Sequence, residues 1–202
     1  MIIIDLKLKS KTNANIFVVV TDSGEYILHS DEIVRYGLSK GEVDSERFFN
    51  AVDDSERLIA FNLATKYLSG KFKTEKQMKD YLYKKEFKKP VVEFVLNKLK
   101  DYNLIDDKMY ADTYKRSNPN YSVNKLKQKL FEAGVNSNIV DQVLEDMDDI
   151  ESCKKHAEKF LRNKEIDKAV IDKLIRHLTS KGYGWGTIKT ILNNLKYEIE
   201  EY

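Results

Sequence analysis

Met78-Lys-Asp-Tyr-Leu82-Tyr-Lys-Lys-Glu86-Phe87, Leu126-Lys-Gln-Lys-Leu130-Phe-Glu-Ala-Gly134-Val135 and Leu174-Ile-Arg-His-Leu178-Thr-Ser-Lys-Gly182-Tyr183 follow one another at a spacing of 48 residues. Their apolar residues occupy the same three places. The same spacing relates Val95, Val143 and Ile191, then Leu96, Leu144 and Leu192, then Leu99, Met147 and Leu195. Six apolar columns in register define a unit repeated three times between residue 55 and the end of the chain. Within each unit the columns recur at helical spacing, so the repeat is built of helices. Such units bury their apolar faces on one another and commonly present an extended surface to a large partner.

Three helices fit each unit. They are expected at 55–69, 75–85 and 90–102, then 107–117, 122–133 and 137–148, then 151–163, 168–181 and 185–200. Thr74, Ser122 and Ser137 or Asn138 supply hydroxyl or amide caps at three of these starts. Gly134 and Gly182 stand between the second and third helices of their units, where a helix ends in the left-handed conformation that glycine adopts freely. Glu86 holds that place in the first unit, so its turn should either cost about 1 kcal/mol or take another form.

The first 54 residues read differently. Ile2, Ile4, Leu6 and Leu8 alternate with Ile3, Asp5, Lys7 and Lys9, a strand pattern. Ile16–Val20 is a β-branched run, Asp22–Gly24 is a turn, and Glu25–Leu28 is a third strand. Ser30 or Asp31 caps a short helix to about Tyr36, Gly41 breaks the chain, and Asp44 or Ser45 starts another helix. The fold class expected is therefore mainly α. Three tandem three-helix repeats (55–105, 106–150, 151–202) form an elongated curved array behind a small β-containing segment (1–54).

Composition narrows the function. The 202 residues are 34% charged, with 2 prolines and 8 glycines, as suits a helical protein. No apolar run approaches the ~20 residues of a membrane-spanning helix. The N-terminus lacks the features of a signal peptide, and a single cysteine, Cys153, cannot form an internal disulfide, so a cytoplasmic location is expected. Net charge is −2 for residues 1–50, +4 for 51–105, −3 for 106–150 and +3 for 151–202. This is unlike the uniformly basic chain of a stand-alone DNA binder.

Catalysis finds no foothold. His29, His156 and His177 are scattered, nucleotide and hydrolase motifs are absent, and Cys153 has no evident base. Neither a cofactor nor a metal is expected, and the Asp146–Glu151 acidic run reads as a solvated connection. The helix–glycine–helix pattern invites comparison with DNA-binding motifs. Repeat proteins need the same turns, however, and the last helix of each unit lacks an exposed face suited to base edges. The lysines at 71, 73, 76, 79, 84, 85, 88 and 89 fit a solvated helix face or weak phosphate contacts. In the acidic middle unit, Tyr114, Lys115 and Arg116 at a helix end, with Lys125 and Lys129 one turn apart on the next helix, form the candidate contact surface. Trp185, between two glycines, is either a partner anchor or a residue packed on the last helix.

These residues resemble the RecX family of bacterial RecA modulators. The resemblance rests on the order of the repeats and on Leu99-Lys-Asp-Tyr-Asn-Leu104-Ile-Asp106-Asp107-Lys-Met-Tyr110-Ala111. Here a unit closes on leucine, a turn and an aspartate before an aromatic–alanine pair opens the next helix. Asn103 replaces the usual glycine and tolerates the same conformation. The resemblance implies a non-enzymatic protein, a single chain, that binds the RecA–single-stranded DNA filament. There it lowers recombinase, ATPase and co-protease activity, and contact with single- or double-stranded DNA is also implied. A DNA-binding protein acting without RecA through the basic helix faces stays open as the alternative.

Overall fold

The computed structural model describes residues 1–10 and 13–200. Strands β1 (Ile2–Ser10), β2 (Asn13–Thr21) and β3 (Gly24–His29) form an antiparallel meander, and β4 (Gly41–Glu42) adds to the free side of β1, in the order β3-β2-β1-β4. Ten helices follow among the described residues: α1 (Ser30–Arg35), α2 (Ser45–Leu68), α3 (Glu75–Lys84), α4 (Lys89–Asp101), α5 (Asp107–Ser117), α6 (Val123–Ala133), α7 (Ser137–Leu144), α8 (Ile150–Leu161), α9 (Lys168–Ser180) and α10 (Trp185–Glu200). The fold is mainly helical with a small N-terminal antiparallel sheet. No helix of the described residues is long and apolar enough to cross a membrane.

The chain makes two compact units. Met1–Phe72 with Met78–Ile105 forms one, and Lys73–Gln77 with the chain from Asp106 onward forms the other. In the first, Ile3, Val19, Leu28 and Phe48 are buried between the sheet and the start of α2. A second core holds Ala60, Ala64, Met78, Leu82, Val95 and Leu99. The second unit has one core around Leu126, Leu130, Val143 and Leu144, and another around Leu174, Leu178, Ile188 and Ile191. The apolar columns of the 48-residue pattern are these core residues. Burying such a side chain contributes about 1.5–3 kcal/mol relative to leaving it exposed.

Several local expectations are corrected. The helices expected at Asp44/Ser45 and at 55–69 are one 24-residue helix, α2, running unbroken past residue 54. Ser55, which resembles a cap, is fully buried, and its Oγ accepts from the His29 backbone N–H at 3.1 Å. His29 itself caps α1, accepting from the Asp31 N–H, in place of Ser30 or Asp31. Residues at Gly41 pair with β1 rather than simply breaking the chain. Asn136, one residue earlier than expected, caps α7. His156 and His177 are not scattered: their rings lie 6.4 Å apart, and His177 stacks on Phe160 at 5.0 Å.

The turns after the middle helices share one bonding pattern. Gly134 N–H donates to the Phe131 carbonyl and Val135 N–H to that of Leu130. Gly182 and Tyr183 repeat this with Thr179 and Leu178, and Glu86 and Phe87 with Tyr83 and Leu82. These are left-handed Schellman caps. Their central φ values are +89° at Gly134, +90° at Gly182 and +66° at Glu86, so Glu86 makes the same turn as the glycines. Asn103 ends α4 in the same way at +53°.

Within the second unit, Ser122 is fully buried and works twice. Its Oγ accepts from the Lys125 N–H at 3.1 Å, capping α6, and donates to the Lys181 carbonyl at the end of α9 at 3.0 Å. Thr74, 48 residues earlier, accepts from the Gln77 N–H at 3.1 Å and donates to the Ala133 carbonyl at 2.6 Å. A carboxylate completes each arrangement: Asp149 accepts from the Val123 N–H at 2.8 Å, and Asp107 from the Glu75 N–H at 2.9 Å. Burial pushes the Asp149 carboxyl up, opposed by that hydrogen bond. The acidic run is therefore partly a structural element rather than only a solvated connection. Glycine is required opposite these caps by space as well as by φ. A Cβ at Gly182 would lie 2.6 Å from Ser122 Oγ, and one at Gly134 would fall on the Lys76 side chain.

Ser122→Ala removes a cap and leaves the Lys181 carbonyl without its donor, so chemical denaturation should show a loss of about 1–2 kcal/mol. Gly182→Ala should lose at least as much, whereas Glu86→Gly should lose nothing. Burial holds the His177 imidazole below its ordinary range, helped by Lys181, His156 and Lys164. The unfolded chain therefore binds the proton more readily, and stability should fall as pH drops below about 6.5, the unfolded value. A melting-temperature series from pH 8 to pH 5 should show that slope, and His177→Gln should flatten it.

Candidate interaction surface

The five candidate contact residues lie on α5 and α6. Ala111 anchors α5 to the core with Leu126 and Leu130 of α6, and that packing turns the remaining faces outward. Tyr110 and Tyr114, one turn apart, stack with ring centroids 6.1 Å apart and are half-buried against the same core. The α5 helix ends at Ser117, where the Asn118 Nδ2 donates to the Tyr114 carbonyl at 2.8 Å. Four residues later the loop turns into the Ser122 cap of α6.

Three of the five come together. Burial is the chief cause that pushes the Tyr114 hydroxyl pKa up, with Tyr121 and Tyr110 adding to it and Lys129 opposing. Lys129 lies close enough to Tyr114 and Tyr121 to be influenced by both, and its Nζ pairs with Glu132 at 2.7 Å. That pair raises the Lys129 pKa and lowers the Glu132 pKa, and Lys125 also lowers Glu132. The surface is thus Tyr114, Tyr121, Lys125 and Lys129 around one carboxylate. Both ion-pair partners are substantially exposed, so the pair contributes little to stability and its cation can be re-engaged by an incoming anion.

The other two do not join it. Lys115 donates from Nζ to the Val143 carbonyl at 2.7 Å, which satisfies a carbonyl in the last turn of α7. Arg116 is exposed on the next position of the helix. Tyr121 and Glu132 escaped the sequence reading. Neither belongs to an apolar column, and a tyrosine preceding a helix cap carries no local signal of function. Phe131, 46% exposed beside Glu132, is a further large apolar side chain on α6.

Elsewhere, Lys84, Lys85, Lys88 and Lys89 are exposed around the α3–α4 turn, with Lys89 paired to Glu93 at 3.6 Å. Trp185 is 62% exposed at the first position of α10. Cys153 is fully buried, and burial pushes its thiol up to about 11, so the thiolate needed of a nucleophile does not form near neutral pH. Among the described residues, no group of three His, Cys, Asp or Glu side chains could hold a metal ion.

Residues 60–99 match the family model described as RecX, first three-helix domain. The regulatory protein RecX of Streptococcus sanguinis is 35% identical over 187 residues, covering 89% of this chain and 72% of the relative. That of Streptococcus mutans is 32% identical over 94% of this chain and 77% of the relative. Among solved structures, RecX from Lactobacillus salivarius superposes with a TM-score of 0.65 at 27% identity, over 70% of this chain and 97% of that one. A second crystal structure of a regulatory protein RecX gives a TM-score of 0.71 over 95% and 98% of the two chains. At 23% identity it supports the fold alone. By its likeness to these relatives over most of their length, this chain belongs to the RecX family of regulatory proteins.

Proposed function

We propose that this protein binds the RecA–single-stranded DNA filament and lowers RecA recombinase, ATPase and co-protease activity, without being an enzyme itself. Membership of a regulatory family supports the reading. The observation that carries it is the cluster of Tyr114, Lys125 and Lys129 on a repeat whose net charge is −3. A surface offering cations, aromatic rings and carboxylates side by side suits a groove that contains both protein and phosphate. Lysines engage phosphate without demanding geometry, and tyrosines supply rigid contact area. In this reading residues 55–105, 106–150 and 151–202 act as three like units meeting successive like subunits, and 1–54 as an accessory segment. Modest contacts then add through effective concentration. Tyr114, Lys125, Lys129 and Arg116 touch the partner, Trp185 is a further anchor, and Lys115 serves the fold. The protein acts in the cytoplasm as a single chain.

The exposed Lys84, Lys85, Lys88 and Lys89 support a second reading, direct DNA binding without RecA. Salt separates the two. Affinity for bare DNA through these lysines should fall steeply with salt, whereas filament binding requires RecA at any salt.

The decisive assay is RecA-catalysed, single-stranded-DNA-dependent ATP hydrolysis with increasing protein. Inhibition should appear well below one molecule per RecA subunit. Lys125→Glu with Lys129→Glu should weaken it by about tenfold or more, as two lost charge contacts of roughly 1 kcal/mol each would. Lys115→Met should instead lower thermal stability and leave inhibition by the folded fraction unchanged. Unaltered inhibition by the double reversal would reject this surface. No inhibition by the wild-type protein, with salt-sensitive binding to bare DNA, would favour the second reading.

A further inference from the structure

The cap-to-turn junction described for Ser122 and Lys181 has two sides: a hydroxyl that begins a middle helix, and a glycine turn that receives it. The 48-residue register places a further receiving side at Glu86, with the Lys85 carbonyl in the position of Ala133 and Lys181. It places a further hydroxyl side at Val170. Both are altered. Glu86 makes the same left-handed turn at φ +66° but carries a Cβ, where a Cβ on Gly182 would come within 2.6 Å of the docked hydroxyl. Val170 has no hydroxyl at all. Moreover α9 begins three residues earlier than its counterparts: Asp167 is its cap, accepting from the Val170 N–H at 2.7 Å, and the extra residues Lys168–Val170 are helical. A helix that starts early projects an extra turn into the space that, at the start of α6, holds the loop leading to the Ser122 cap.

We propose that Glu86 and the segment Asp167–Val170 are terminators. They stop a second copy of this chain from docking its last repeat onto the first repeat of a neighbour through the junction that the protein uses internally. Like repeats joined head to tail generate an open, heterologous interface, which grows without limit unless an end is blocked. Each end here is blocked by a different device: a side chain in the receiving turn, and a missing hydroxyl with an added helical turn on the donor side. The space beside the Glu86 turn is itself open. A groove of about 1050 Å³ lined by Ile16, Ile59, Leu63, Lys85 and Phe87 leaves room for the first turn of an incoming helix.

The test opens each end separately in the full chain. One protein carries Glu86→Gly. The other carries Asp167→Pro, Lys168→Asn, Ala169→Tyr and Val170→Ser, which transplants the loop Pro119–Ser122 that precedes α6. Each should sediment as a single chain, as should the wild type. Their equimolar mixture should give a two-chain species, and a chain carrying both sets should form longer assemblies as concentration rises. The graft made with Val170→Ala in place of Val170→Ser should lose this association, identifying the hydroxyl as its basis. If the four-residue graft does not fold, Ala169→Pro with Val170→Ser supplies the same cap with less change. Mixtures of cooperatively folded proteins that stay at the mass of one chain would overturn the proposal, as would an equal gain in mass with the Val170→Ala form.

Discussion

A buried hydroxyl that begins one helix and binds the end of another sets the terms for the repeats. Ser122 has one proton to donate and lone pairs to accept, and it uses both functions, toward the Lys181 carbonyl and the Lys125 N–H. Helix ends carry unpaired carbonyls and N–H groups, and burying them unpaired is costly. The arrangement satisfies a helix start and a helix end with one buried side chain. It also dictates the turn opposite. The backbone must approach the hydroxyl closely, so Gly182 is needed for want of a Cβ and for its φ of +90° together. Cap, turn and glycine are one constraint, and Thr74 with Ala133 and Gly134 repeats it.

That constraint explains which polar residues are taken up by the fold. Asp107 and Asp149 accept from the first N–H of a helix, and Lys115 donates to the Val143 carbonyl, so these three charged groups serve the fold. Tyr114, Lys125 and Lys129 occupy the outward faces that the packing leaves over. The exposed Glu132 is the counter-charge beside Lys129 and Lys125. Among the described residues, no group of three His, Cys, Asp or Glu side chains could hold a metal ion. Cys153 is held neutral by burial, and the pair His156 and His177 is committed to ring contacts with Phe160 and Tyr183.

The RecX resemblance and the mainly helical fold with its N-terminal sheet were legible in the residues, because both rest on short-range pattern. Apolar columns at helical spacing locate α3 to α10 to within a few residues. Errors arose where local chemistry was ambiguous. Asp53-Asp54-Ser55 looks like a helix start, yet α2 runs through it, because no glycine or proline interrupts Ser45–Leu68 and Ser55 is held by the His29 backbone. Of the candidate contact residues, Tyr114, Lys125 and Lys129 share a place, while Lys115 is drawn off by a carbonyl 28 residues away.

The sequence by itself determined the helices, their repeat and the identity of the core. Periodicity and capping are encoded within a turn or two of chain, and burial of an apolar stripe leaves little choice. Only the tertiary structure decided which hydroxyls, carboxylates and lysines are bound internally and which stay on the surface. Those assignments are made by bonds between residues 26 to 59 positions apart, from Val123–Asp149 to Ser122–Lys181. No local pattern announces them, because a serine that caps one helix looks the same whether or not a second helix ends against it.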